Sequence, residues 1–145
     1  QADGCAFQAG ACGAEPDVLD RVLLVPVGVG DQAVVCGKVG RRVRIWHQSG
    51  MVFGARAIGD DVHLRQNTTL GVATRREPWA KPTLGDRVEV GAGAVIVGDI
   101  VVGEDSVVGA NAVVTKDVPP RVMVGGVPAR IVKRFDDATG AETSA

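Results

Sequence analysis

A six-residue period between Leu84 and Val118 constrains the fold of this chain more than any other feature. An aliphatic residue returns at every sixth position: Leu84, Val90, Ile96, Val102, Val108 and Val114. On an α-helix, six residues turn the chain through about 240°, so these side chains would spread over three faces and form no apolar stripe. On one long strand, the residues two positions further on would also be apolar, yet they include Asp86, Glu104 and Lys116.

The period instead predicts short strands joined by corners, in which each repeat buries its inward side chain against the repeats above and below. The residue four positions after each aliphatic is mostly small or β-branched, as at Val88, Ala94 and Ala112. The chain contains 20 Gly, which fits a corner every few residues, because Gly adopts positive φ at little cost. Aromatic residues make up only 3%, which suits a core of stacked Val, Ile and Ala. We therefore expect an all-β solenoid.

This repeat resembles the hexapeptide-repeat acyltransferases, whose chain winds as a left-handed parallel β-helix with three hexads per coil. The segments Asp117–Pro120 and Gly126–Val132 are similar to the family's usual ending, and most of all to its serine acetyltransferase branch and polysaccharide-modifying relatives. The resemblance extends from about Val39 to Arg134. It alone implies the left-handed winding, since left-handed crossovers are rare in general. It also implies a homotrimer whose active sites are shared between subunits.

Three segments follow from the pattern. Residues 1–24 are expected to be irregular or briefly helical, residues 25–134 to form the β-helix, and residues 135–145 to form a polar tail. Met51 to Ile58 spans seven residues instead of six, which predicts a bulge or a wider corner. Between Leu70 and Leu84 there are fourteen residues where six would suffice, so residues 72–82 should protrude as a loop. That loop either contacts a ligand or is an ordinary tolerated insertion.

His47 is the candidate catalytic base. In serine acetyltransferases a segment similar to residues 47–51 carries that base, and imidazole titrates near neutral pH and can deprotonate an acceptor hydroxyl. Without the resemblance, His47 would be interpreted as an ordinary structural or surface residue. The family's base is usually oriented by an Asp about fifteen residues earlier; that spacing ends on Gln32, so its neighbour Asp31 is the candidate. The only other histidine, His63, is expected to be a solvated corner residue.

The acceptor site differs from that of the serine acetyltransferases. They carry an Asp directly before the base and an Arg-His pair before the Pro that re-enters the coil, whereas this chain has Trp46 and Ala80-Lys81. The flat apolar face of Trp46 suits stacking on a sugar ring. We therefore expect the acceptor to be a sugar or exopolysaccharide precursor, or serine.

The resemblance implies acetyl-CoA as the donor. In the family, small residues let the pantetheine arm approach backbone amides, and the matching positions are Gly71, Ala92 and Ala110. The same residues would also be small simply because they lie at corners. Arg130 and Lys133 follow the Pro-Ala of the final segment and are expected to bind the phosphates of CoA.

Composition excludes several partners and leaves one question open. A net charge of −1 predicts no nucleic-acid partner and no binding to an anionic membrane. No apolar run is long enough for membrane insertion and no signal segment opens the chain, so we expect a soluble cytoplasmic protein. Cys5, Cys12 and Cys36 lack metal-ligand spacing and are expected to be free thiols, although Cys5 and Cys12 could form a disulfide or bind a metal.

The sequence thus predicts an acetyl-CoA-dependent O-acetyltransferase without a metal. No Cys lies in a nucleophile context, which favours direct transfer over an acyl-enzyme intermediate. Two other classes stay open: a non-catalytic hexapeptide scaffold or inactive truncated relative, and a zinc carbonic anhydrase of hexapeptide type. The carbonic anhydrase needs three His per metal, and this chain has only two.

Overall fold

The computed structural model describes residues 37–47 and 49–135 together with the backbone of residues 142–144, and this part of the chain contains strands but no helix. The strands are β1 (Lys38–Val39), β2 (Arg44–Trp46), β3 (Val52–Phe53), β4 (Ala57–Ile58), β5 (His63–Arg65), β6 (Thr69–Gly71), β7 (Thr83–Leu84), β8 (Glu89–Val90), β9 (Val95–Val97), β10 (Val101–Val102), β11 (Val107–Val108), β12 (Val113–Val114), β13 (Val122–Gly125), β14 (Arg130–Phe135) and β15 (Glu142–Ser144). The expected all-β class is confirmed.

From β1 to β12, every third strand joins the same sheet, so the chain forms a prism with three faces; β13 then extends one of them. Face 1 contains β1, β4, β7 and β10; face 2 contains β2, β5, β8, β11 and β13; face 3 contains β3, β6, β9 and β12. All neighbours within these sets are parallel. The fold is the predicted left-handed parallel β-helix.

The aliphatic residues of the six-residue period form the core as predicted. Val90 pairs with Val108, and Leu84 pairs with Val102, in adjacent coils. All six period residues from Leu84 to Val114 are at most 2% exposed. The buried hydroxyl of Ser106 donates a hydrogen bond to the carbonyl of Pro119 at 2.9 Å, so this polar group in the stack is satisfied.

Several glycines of the repeat serve close approach between coils, and only some of them, such as Gly93, supply the expected positive φ. A Cβ at Gly91 would lie 2.6 Å from the backbone N of Ala110, a contact that real Cβ atoms essentially never show. The left-handed conformation at the corners is instead adopted mostly by polar and charged residues, including Asn67 and Asn111. Asn tolerates this conformation better than other residues with a Cβ.

The edge between faces 1 and 2 carries a charge ladder, which we define as Arg42, Asp61, Arg87, Asp105 and Arg121, one residue from each of five successive coils. All five have φ between 54° and 56°. Arg42 binds the carboxylate of Asp61 at 2.6 Å and Arg87 binds that of Asp105 at 2.7 Å. These hydrogen bonds from the Arg side chains lower the pKa of both carboxyl groups below the usual value.

The predicted insertion protrudes as a loop. The chain leaves the coil after Gly71 and re-enters it at β7, and Trp79 within the loop is 82% exposed. Arg56 fastens the loop to the prism, because it donates a hydrogen bond to the carbonyl of Trp79 at 3.3 Å and forms a 2.8 Å ion pair with Asp99.

The last part of the solenoid reverses direction. Strand β14 runs antiparallel to β13. Gly125 pairs with Arg130 and Met123 pairs with Lys133, and a bulge at Val132 separates the two pairs.

Candidate functional site

The corner between faces 2 and 3, which we call the His47 corner, gathers most of the predicted site. Successive coils contribute Ser49-Gly50, Gln66-Asn67, Ala92-Gly93 and Ala110-Asn111. Backbone hydrogen bonds stack these pairs: Asn67 N donates to Ser49 O at 2.8 Å, Gly93 N to Gln66 O at 3.0 Å, and Asn111 N to Ala92 O at 2.8 Å. The second residue of each pair has positive φ. The corner is therefore a regular column of small or polar residues.

The first described coil departs from this column at His47. Trp46 pairs with Arg65, and Ser49 lies next to Gln66, so two extra residues, 47 and 48, are inserted between them. His47 has φ of 57° and an exposed side chain; Gln48 lies outside the described residues. The sequence had placed the irregularity after Met51. That placement was wrong, because Phe53 occupies the position that pairs with Leu70.

Four of the predicted site residues meet at the His47 corner. Ala92 and Ala110 lie in its third and fourth coils, and Arg130 pairs with Gly125 at the next level. Parallel strands lie about 4.8 Å apart, so the column from His47 to Ala110 is about 14 Å long. His47 thus lies at one end of this column, and Arg130 pairs with the strand beyond the other end.

Two other predicted site residues, Gly71 and Lys133, lie away from this group. Gly71 lies at the opposite end of face 3, where the loop leaves the coil and where a Cβ would meet no atom within 4 Å. Lys133 is half-buried and pairs with Met123, away from the corner. Asp31 lies outside the described residues. His63 is a half-buried residue within β5 and not the solvated corner residue that the sequence suggested.

The surface beside His47 is aromatic and basic. Trp46 is 52% exposed at the end of β2, opposite the exposed Arg65 of β5. Arg44, two residues before Trp46, is also exposed. A flat ring flanked by cations can bind a ring-shaped or anionic ligand.

Face 3 presents an apolar outer surface next to this corner. Its outward positions include Val52, Thr69, Val95 and Val113, which lie side by side in successive coils. All four side chains are β-branched, and the row carries no charge. Such a face favours packing against another protein surface.

Sequence reasoning missed Gln66. Its side-chain amide oxygen is buried and has no hydrogen-bond partner among the described residues. A polar residue at a corner of the repeat resembles an ordinary solvent-facing residue, so no sequence signal distinguished it from Asn67 or Asn111. Across the described residues, no group of three His, Cys, Asp or Glu could hold a metal ion. No helix within them could cross a membrane.

Comparison with known proteins shows what this chain is similar to. The family described as "Bacterial transferase hexapeptide (six repeats)" matches residues 81–116. The serine acetyltransferase of Mycobacterium tuberculosis is 46% identical over 103 residues, which are 70% of this chain and 45% of that protein. The serine acetyltransferase of Salmonella typhimurium is 43% identical over 96 residues, covering 66% of this chain and 35% of that protein.

Solved structures agree. The soybean serine acetyltransferase apoenzyme superposes with a TM-score of 0.63 at 40% identity, covering 66% of this chain and 40% of that one. The serine acetyltransferase of Vibrio cholerae gives a TM-score of 0.67 at 37% identity, covering 72% and 42%. The chain spans less than half the length of each of these four proteins. The chain is thus similar to the hexapeptide-repeat acyltransferases and, among them, to the serine acetyltransferases.

Proposed function

We propose that this protein transfers an acetyl group from acetyl-CoA to the hydroxyl of a small acceptor, with His47 as the general base. The observation that carries the proposal is the two-residue bulge that presents His47 at one end of the column of small corner residues. His47 would take the hydroxyl proton as the oxygen attacks the thioester carbonyl. The new C–O bond forms, the C–S bond breaks, and the CoA thiolate leaves and takes up the proton.

The dimensions of the His47 corner support acetyl-CoA as the donor. An extended chain gains about 1.2 Å per bond, so the roughly thirteen bonds between the thiol sulfur and the first phosphate of CoA span about 16 Å. The column from His47 to Ala110 is about 14 Å long, and Arg130 lies one coil further on. A thioester beside His47 would therefore place the phosphates near Arg130, with Ala92 and Ala110 facing the pantetheine arm. Contacts from Gly71 and Lys133 to CoA stay predictions.

Serine is the first candidate acceptor, because the relatives are named serine acetyltransferases. A sugar is the second candidate. The observation that favours it is the 52% exposure of Trp46 directly before the base, beside the exposed Arg65. An indole offers a flat face for a sugar ring, whereas an amino acid as small as serine covers little of it.

The same proposal includes a cytoplasmic homotrimer. The uncharged β-branched outer row of face 3 lies next to the His47 corner, so threefold packing through this face would place a neighbouring subunit beside the site. No metal enters the proposed reaction. The orienting role of Asp31 also stays a prediction.

Release of free CoA thiol in the presence of serine and a panel of sugars tests the proposal. We expect His47→Ala to reduce turnover by about 10²–10⁴-fold while the KM for acetyl-CoA changes little. His63→Ala, the matched control, should keep most of the activity. We expect Arg130→Ala to raise the KM for acetyl-CoA and to spare turnover at saturation.

The results that would contradict the proposal each point to a different part of it. Wild-type turnover in His47→Ala would place the base elsewhere. An intact trimer that releases no thiol with any acceptor would favour the non-catalytic scaffold. If Trp46→Ala abolishes transfer to sugars and spares transfer to serine, the sugar site includes the indole.

A further inference from the structure

Gln66 carries the one buried side-chain nitrogen or oxygen atom without a hydrogen-bond partner among the described residues. Buried polar atoms are almost always hydrogen-bonded, so an exception calls for an explanation. The backbone around Gln66 cannot easily move to relieve it. The hydroxyl of Thr68 donates to the carbonyl of Arg65 at 2.7 Å, Asn67 N donates to Ser49 O, and Gly93 N donates to Gln66 O. The Gln66 amide is therefore held on a rigid turn.

Gln66 lies in the coil next to the bulge that carries His47. Trp46 pairs with Arg65, and Ser49 lies next to Gln66, so the backbone at His47 leaves the coil at the level of the Arg65–Gln66 peptide. The imidazole of His47 also has no hydrogen-bond partner within the described part of the chain. A neutral imidazole that acts as a base through one nitrogen carries a proton on the other, and that N–H needs an acceptor to fix the tautomer and the ring orientation.

We propose that Gln66 is the positioning residue of His47: its side-chain Oε1 accepts the imidazole N–H, and the other ring nitrogen then faces the acceptor hydroxyl. This inference rests on the proposed role of His47. It differs from the prediction made for Asp31, because a neutral amide holds the ring without stabilising its protonated form as strongly as a carboxylate would.

The strands around the bulge bring cations but no carboxylate to the corner, which fits the uncharged Gln66 amide as the hydrogen-bond acceptor for His47. The strands that border the bulge contribute Arg44 from β2 and His63 and Arg65 from β5, and β3 and β6 contribute no charged residue. On the next strand, Glu89 pairs with His63. The strands that border the bulge therefore offer no carboxylate that could take the place of the Gln66 amide oxygen as the acceptor for the imidazole N–H.

Proton NMR titration of the imidazole rings tests the proposal without any requirement for activity. The chain has only two His, so the ring signals can be assigned with His47→Ala, and His63 serves as an internal reference. In Gln66→Glu, a carboxylate replaces the amide oxygen, and the midpoint of the His47 titration should rise by about one pH unit relative to wild type. In Gln66→Leu, the acceptor is lost and the midpoint should fall, because hydrogen bonding favours the charged ring.

Asn111→Asp is the matched control, since it places a carboxylate at the same corner two coils away and should move the midpoint much less. Gln66→Leu should also lower turnover by about 10- to 100-fold without raising the KM for acetyl-CoA. The proposal is overturned if neither Gln66 variant moves the His47 midpoint, or if only Asp31→Asn moves it. The midpoints decide the matter even if no acetyl transfer is found, so failure of the proposed function remains a separate result.

Discussion

Gly91→Ala adds one methyl group at a point of close backbone contact between two coils. The new Cβ would lie 2.6 Å from Ala110 N, 2.8 Å from the carbonyl carbon of Gly109 and 2.9 Å from Ala110 Cα, where ordinary contacts begin at 3.4 Å. All three atoms belong to the backbone, so no rotamer change can relieve the overlap, and the coils must separate. Overpacking of this kind costs about 2–3 kcal/mol. For a chain of this length, the Tm should fall by roughly 6–12 °C.

Thermal unfolding at a fixed protein concentration measures the effect, and Gly71→Ala is the matched control. A Cβ at Gly71 meets no atom within 4 Å, and neither glycine has positive φ, so backbone strain does not confound the comparison. We expect the control to stay within about 0.5 kcal/mol of wild type. Equal melting temperatures for the two variants would refute the view that the repeat glycines exist for close approach between coils.

Three further predictions follow from the fold. The pKa values of Asp61 and Asp105 are lowered in the folded state, so the stabilising effect of these carboxylates should be complete above about pH 4 and decline as the pH falls further. Urea unfolding measures the effect: between about pH 5 and 3, the double variant Asp61→Asn/Asp105→Asn should lose less stability than wild type. Val95→Glu on face 3 should weaken the trimer in sedimentation velocity, whereas Val101→Glu on face 1 should not; a monomeric wild type at micromolar concentration would contradict the proposed assembly. Arg56→Ala should speed tryptic cleavage at Arg75 and Arg76 relative to Arg44→Ala, because it removes both contacts that fasten the loop; unchanged cleavage rates would show that the loop is held by other contacts.

The regular part of the fold was predictable because each inward position of the repeat requires the same thing, an aliphatic side chain that packs against the coils above and below. Val90 and Val108 are fully enclosed by neighbours of the same kind, so a period of six describes both equally well. The long spacing between Leu70 and Leu84 exceeds one hexad, so a protruding loop was also predictable. Regular stacking leaves no room for extra residues in the coil.

The irregular corner was harder to predict. Met51 and Phe53 are both apolar, and a step of six from Ile45 selects Met51, whereas the backbone places Phe53 in the strand that pairs with Leu70. Gly50 was the available signal, since it has positive φ like Asn67 in the next coil. Gln66 could not be recognised, because the repeat does not show that its side-chain oxygen is buried and without a partner. Periodicity also did not show that Gly71 and Ala92 lie at different ends of face 3, because small residues mark every corner; a contact from Gly71 to CoA stays a prediction.

Because of the charge ladder, the solenoid tolerates the removal of an even number of coils better than the removal of an odd number. Its signs alternate from coil to coil, so each carboxylate lies between two guanidinium groups, and the charge of Arg121 also acts on Asp105. Removal of residues 85–102 would delete one coil and leave the inward aliphatic stack continuous, but it would bring Asp61 against Asp105. Removal of two coils would restore the alternation. The hydrophobic core would pack with any whole number of coils. The charge ladder, in contrast, brings like charges together when coils are shifted by one. It therefore disfavours pairing that is shifted by a single coil as the chain folds.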